Sequence, residues 1–92
     1  MADTLRLDKF LWFARIVKSR ALAQQLAEEG RIRIDGRVID RAHAPVRPGD
    51  VLSFALRGEV KVLRIESLPK RRGPPAEAHS LYCELTSEGG QD

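Results

Sequence analysis

The residues best equipped for chemistry are cations placed where a packed core has no use for them. Arg6 and Lys9 stand at the start of an apolar-periodic stretch, Lys18 and Arg20 flank Ser19, and Arg31, Arg33 and Arg37 alternate with isoleucine and valine. Most of the sixteen basic residues are arginine, whose rigid fork of N–H donors fits phosphate oxygens or a base edge. Such a set performs electrostatic grip on a polyanion. The excess is local: the formal net charge is only +3, yet residues 6–20 hold five basic groups and one acidic group. The same cations also fit a solvated basic face paired with Glu28, Glu29, Asp35 and Asp40, and charge alone leaves both readings open. Lys70, Arg71 and Arg72 form a second basic run before Gly73-Pro74-Pro75, read as a rigid connector that either meets phosphate or is solvated.

Bond-breaking chemistry is poorly supplied. Cys83 is the single cysteine, so no internal disulfide forms, and no Cys/His set has metal-ligand spacing. His79 and Cys83 share a face only if residues 76–85 are helical, and no orienting acid accompanies them. No enzymatic activity and no cofactor are expected. The N-terminus lacks a secretory apolar core, and no apolar run reaches the length of a membrane span. The expectation is a soluble, cytoplasmic protein without a membrane partner.

Ninety-two residues make one small domain with a tail. Asp8 is placed to cap a helix over residues 9–17, with Phe10, Leu11, Ala14 and Val17 on one face. Asp8, Lys9, Trp12, Arg15 and Ile16 fall on the other side, so Trp12 needs a cover or is exposed for a purpose. Ser19 caps a second helix over residues 20–29 with Leu22, Ala23, Leu26 and Ala27 inward and Arg20, Gln24, Gln25 and Glu28 outward. Gly30 ends it. Ile32 and Ile34 then alternate with Arg31 and Arg33, and Asp35-Gly36 is a two-residue hairpin turn. Pro48-Gly49-Asp50 is a second turn, residues 51–56 a strand, 57–59 a turn and 60–68 a strand. In that last strand Val60 and Val62 alternate, with Leu63 out of step. After Pro69, residues 76–85 read as a short helix whose Leu81 and Leu85 dock on the Trp12 side. Residues 86–92 read as frayed. The fold class is α+β: two N-terminal helices, a small antiparallel sheet of about four strands, and a short C-terminal helical segment.

The run Arg6-Leu7-Asp8-Lys9-x-Leu11, then Lys18-Ser19-Arg20-x-x-Ala23-x-x-Leu26, then Gly30-x-Ile32-x-Ile34-Asp35-Gly36 and Val46-x-x-Gly49-Asp50 resembles the S4 RNA-binding domain. The match spans residues 6–52 and loosens toward 68. It implies the S4-like, L-shaped arrangement of two helices and a hairpin over residues 1–68, with 69–92 as a basic connector and extension packing on it. It implies RNA contact by Arg6, Lys9, Lys18, Ser19, Arg20, Arg31, Asp35 and Arg37. Asp35 stands where that family commonly has Asn, which favours a turn role, and Asp8 is expected to cap a helix or orient Arg6 and Arg20. Arg33, Arg71 and Arg72 join the RNA-binding candidates on charge and position.

The stretch from Arg6 to Arg15, with Trp12, and the later Arg71-Arg72-x-Pro74-x-x-x-Ala78-x-x-Leu81-Tyr82 are similar to the small ribosome-associated heat-shock proteins carrying an S4 domain. That likeness implies a stress-response role and rescue of stalled peptidyl-tRNA complexes. The implied partners are large-subunit ribosomal RNA and the ribosome carrying peptidyl-tRNA; apart from that likeness, the chain is read as a monomer. Two alternatives stand beside it. One is a general structured-RNA or DNA binder. The other is a protein adaptor docking through Trp12, Leu81 and Tyr82, although packing of Trp12 beneath Leu81 and Tyr82 is the favoured role for that ring.

Overall fold

The computed structural model describes residues 3–56 and 58–85. From the N-terminus run β1 (Leu5–Arg6), α1 (Leu7–Phe13), α2 (Arg20–Glu28), β2 (Ile32–Ile34), β3 (Arg37–Ile39), β4 (Pro45–Val46), β5 (Val51–Leu56), β6 (Glu59–Ile65), α3 (Pro75–Ala78) and β7 (Tyr82–Glu84). The two N-terminal helices are as expected, but their ends differ from the periodicity in an informative way.

Helix α1 starts without a capping side chain. Arg6 holds the cap position in extended backbone, and the first N–H groups are taken by a distant loop. Leu7 N donates to Ala44 O at 2.8 Å and Asp8 N to Ala42 O at 3.1 Å. The pairing of β1 with β4, Leu5 against Val46, fixes that docking. Asp8 is therefore not the N-cap; it lies inside the first turn, fully buried.

Helix α1 also stops four residues short of Val17. Arg15 takes φ +59, Arg15 N donates to Trp12 O at 3.0 Å and Ile16 N reaches back to Leu11 O at 3.0 Å. This is a Schellman closure, a six-to-one bond enclosing a five-to-two bond. Helix α2 ends the same way: Gly30 takes φ +72, with Gly30 N to Ala27 O and Arg31 N to Leu26 O, both 3.1 Å. Glycine makes the second cap without steric cost, whereas Arg15 makes the first at about 1–2 kcal/mol of left-handed strain. Ala14 and Val17 are still buried past the helix end, which is why the apolar pattern runs through the break.

The strands form a wholly antiparallel five-stranded sheet in the order β3-β2-β5-β6-β7. Asp35 and Gly36 turn the β2–β3 hairpin with φ +52 and +86, the double left-handed turn their sequence predicts. The Asp35 carboxylate also accepts from Val51 N at 3.0 Å, pinning the hairpin to the start of β5. The β5–β6 register runs unbroken from Val51–Arg64 to Leu56–Glu59. Leu63 and Ile65 face the core together and Val60 is exposed, so Leu63 is in step with the core face, with no bulge or register shift there, and Val60 and Val62 lie on the other face. The strand itself ends at Ile65, short of residue 68.

The expected C-terminal helix is replaced. Only Pro75–Ala78 is helical; Tyr82–Glu84 pairs with β6 as the fifth strand, Ile65 opposite Tyr82. This removes the Leu81–Leu85 helical pair and separates Cys83 from any helical partnership with His79. Residues 86–92, expected to fray, and Arg57 of the expected turn lie outside the described residues. The core is one cluster joining Leu7, Phe10 and Leu11 of α1 with Leu26 of α2, Ile32, Leu52 and Leu63 of the sheet.

Candidate nucleic-acid interface

The Asp8 carboxylate organises the corner between the two helices. Its side chain is completely buried and gathers five donors. Oδ1 accepts from Arg6 Nε at 3.1 Å and from Lys9 N at 2.8 Å. Oδ2 accepts from Arg6 Nη2 at 3.1 Å, Arg20 Nε at 3.2 Å and Gln24 Nε2 at 3.1 Å. A buried carboxylate persists only when paired and hydrogen-bonded. Burial alone pushes its pKa up; hydrogen bonds from Gln24, Arg6 and Arg20, with the Arg6 charge, outweigh that and hold it below the ordinary carboxylate range.

The consequence is positional. Two guanidiniums share one carboxylate, so the cluster keeps a net positive charge. Their side chains remain 43% and 36% exposed; among the described residues Arg6 is held through Nε and Nη2 and keeps Nη1 free, while Arg20 is held through Nε alone. Like charges would otherwise spread apart; Asp8 holds them side by side. Gln24, expected to face outward, is half-buried and belongs to this cluster. Sequence reasoning missed it, and its spacing of four residues from Arg20 on one helix face was the available signal.

Lys18 and Ser19 are exposed immediately beside this corner. Ser19 Oγ accepts from Leu22 N at 3.1 Å as the N-cap of α2. The first N–H groups of that helix have no intrahelical partner and suit an anion. Lys9 contributes its backbone N–H to Asp8 and leaves its half-buried side chain without an acidic partner among the described residues.

The hairpin cations form a second group. Arg31 is drawn to Glu29, Nε to Oε1 at 2.7 Å, on an exposed edge, where such a pair contributes little. Arg33 stands on the sheet face opposite Ile32 and Ile34. Arg37 lines a cavity of about 520 Å³ with Arg41 and Arg47. Those last two arginines were missed because residues 40–47 read only as an irregular loop. Neither hydrogen bond nor ion pair links the hairpin arginines to the Asp8 corner among the described residues.

Arg71 and Arg72 lie elsewhere. Arg71 is exposed and 3.6 Å from Glu77. Arg72 folds against α1: its Nε donates to Trp12 O at 3.1 Å and its guanidinium stacks over the Trp12 ring, 5.5 Å from the centroid. Trp12 is thus half-buried as expected, but the cover is Arg72, with Phe13 beside it at 5.6 Å between rings. Leu81 and Tyr82 pack as partly buried residues on the main core. The adaptor alternative loses its exposed anchors. Among the described residues no group of three or more His, Cys, Asp or Glu is arranged to hold a metal, and no helix is long and apolar enough to cross a membrane.

A helical corner with clustered guanidiniums, followed by a hairpin that docks on it through a common core, defines an S4-type fold. The S4 domain model matches residues 5–52, and the chain belongs to the S4-domain family. Among relatives, it is 36% identical over 84 residues to the RQC P-site tRNA stabilizing factor of Bacillus subtilis (strain 168), covering 91% of this chain and 95% of that one. It is 31% identical over 83 residues to heat shock protein 15 of Escherichia coli (strain K12), covering 90% of this chain and 62% of that protein. The trimeric structure of Vibrio cholerae heat shock protein 15 superposes with a TM-score of 0.84 at 31% identity, over 91% of this chain and 84% of that one.

Proposed function

We propose that this protein is a non-catalytic RNA-binding factor that grips structured ribosomal RNA on the large subunit, in stress response and rescue of stalled peptidyl-tRNA complexes. The observation that carries this is the Asp8 corner: two half-exposed arginines, Arg6 before α1 and Arg20 at the start of α2, fixed side by side on one carboxylate. Fixed guanidiniums that keep N–H donors uncommitted read phosphate geometry at low entropic cost. The relatives supply the setting, since one is named for stabilising P-site tRNA and another for heat shock. Arg6, Lys9, Lys18, Ser19 and Arg20 form the corner of the surface, and Arg31, Arg33 and Arg37 extend it along the hairpin. Arg71 and Arg72 are a separate contribution from the connector. Residues 1–68 act as the binding unit, 69–92 as an extension, and the protein works as a cytoplasmic monomer.

Replacing Arg20 and Arg31 together with Glu tests this reading. Affinity for large-subunit ribosomal RNA falls more than tenfold, and the salt dependence shallows by about 0.7–0.9 in the logarithmic slope for each phosphate no longer neutralised. Unchanged affinity and slope would sink the proposal. Duplex DNA as competitor separates RNA preference from generic polyanion binding: RNA preference requires that excess DNA fail to displace the bound rRNA.

A further inference from the structure

A groove of about 550 Å³ opens at the C-terminal end of α1, away from the Asp8 carboxylate at its N-terminal end, lined by Arg15, Lys18, Lys61, Arg72 and Glu59. It brings together the helix junction, β6 and the connector after β6, three parts of the chain far apart in sequence. Four cations meet one carboxylate there.

The two arginines are held in an unusual manner. Arg15 Nε donates to Gly73 O at 2.7 Å, and Arg72 Nε donates to Trp12 O at 3.1 Å. The bonds cross: each segment's arginine grips the other segment's backbone. In both cases a neutral carbonyl does the holding, and neither guanidinium has a carboxylate within ion-pair distance among the described residues. Stacking on Trp12 fixes the Arg72 plane further. Lys61 has only an exposed pair with Glu84, at 3.3 Å. Capping the end of α1 accounts for the Arg72 bond, and tethering the connector to the helix junction accounts for the Arg15 bond. It does not account for the convergence of Lys18 and Lys61 on the same groove, nor for Arg15 at φ +59 where glycine would be free of strain.

We propose that this groove is a second phosphate-binding site, taking an RNA backbone phosphate apart from the one gripped at the Asp8 corner. The inference rests on the RNA-binding reading above. Helix α1 has seven residues, so it sets the two grips about 10 Å apart at 1.5 Å per residue. Lys18 sits at the junction and joins them into one basic belt. Rigid guanidiniums whose charge is not neutralised, each with two amines open, match the two exposed oxygens of a phosphodiester.

The test is a salt titration of affinity for large-subunit rRNA and, separately, for bulk tRNA, with the full chain carrying Lys61→Gln and Arg72→Gln. Affinity for the RNA that supplies the phosphate drops several-fold, and its slope shallows by about 0.7–0.9 for each phosphate no longer neutralised; the unaffected RNA identifies itself by an unchanged slope. If both slopes are unchanged while Arg20→Gln still weakens binding, the groove proposal is overturned and the RNA-binding reading stands. If the native chain binds neither RNA, that reading fails and the groove proposal fails with it. Should the double variant lose its far-ultraviolet circular dichroism, Lys61→Glu alone decides, since Lys61 makes only a surface pair: a shallower slope supports the groove, an unchanged one overturns it.

Discussion

The two ends of helix α1 hold arginines in opposite ways. At the N-terminal end a buried carboxylate anchors Arg6 and Arg20 and partly neutralises them. At the C-terminal end Arg15 and Arg72 are anchored by carbonyls and keep their whole charge, while the backbone at Arg15 carries the strain. The difference teaches that a small domain can fix a cation by two means. A buried anion gives strong positioning with reduced field; a neutral acceptor gives full field with weaker positioning.

The largest break in this comparison comes from Asp8→Asn. It removes the charge from a buried carboxylate that accepts from two guanidiniums, which are more than a third exposed and stay hydrated once unpaired. The change therefore weakens charge-assisted hydrogen bonds of about 1.5–3 kcal/mol that solvent partly screens, and about 2 kcal/mol is expected in urea unfolding. Because the folded pKa of Asp8 is lowered, the unfolded state binds protons more readily. The stabilisation is complete above the unfolded carboxylate pKa of about 4 and is lost as pH falls through the folded value. The difference in melting temperature between native protein and Asp8→Asn should therefore shrink on acidification below about pH 4. A gap that persists unchanged there would contradict ion pairing as its source.

Next in size, Gly30→Ala imposes left-handed strain of about 1–2 kcal/mol on the α2 cap. An added Cβ would meet Val38 Cγ1 at an ordinary 3.7 Å, so the cost is backbone alone. Ser19→Ala removes the α2 N-cap and costs about 1 kcal/mol. Smallest is Arg15→Gly, where relief of φ strain offsets removal of the hydrogen bond to Gly73. Its net effect on stability stays within about 1 kcal/mol. Thermal unfolding of the three variants sharpens the comparison: a large destabilisation by Arg15→Gly would mean the carbonyl anchor matters more than the strain.

Punctuation by local chemistry was legible in the sequence. Ser19, Gly30, Asp35-Gly36 and Pro48-Gly49-Asp50 each specify a cap or turn within a few residues, and each is where expected. What depended on distant partners was not. Helix α1 ends at a Schellman turn built on arginine, and its apolar pattern continues through Ala14 and Val17 into the following turn. Residues 82–84 form a strand because β6 offers an open edge, which no periodicity of their own announces. Leu63 is out of step with Val60 and Val62 because the core face of β6 is the one that carries Leu63 and Ile65, and Val60 is exposed on the other. At the site, the types and positions of Arg6 and Arg20 were readable. That one buried carboxylate binds both, and that Arg72 rather than Leu81 covers Trp12, required the fold.

The most direct test of the central claim is ultraviolet crosslinking of the tagged protein in cells, followed by recovery of the attached RNA. Large-subunit ribosomal RNA should be enriched for the native chain and lost for Arg20→Glu with Arg31→Glu at equal protein abundance. Recovery dominated by other RNA, or equal recovery by the variant, would contradict the claim that the Asp8-anchored corner, here Arg20, and the hairpin, here Arg31, grip ribosomal RNA.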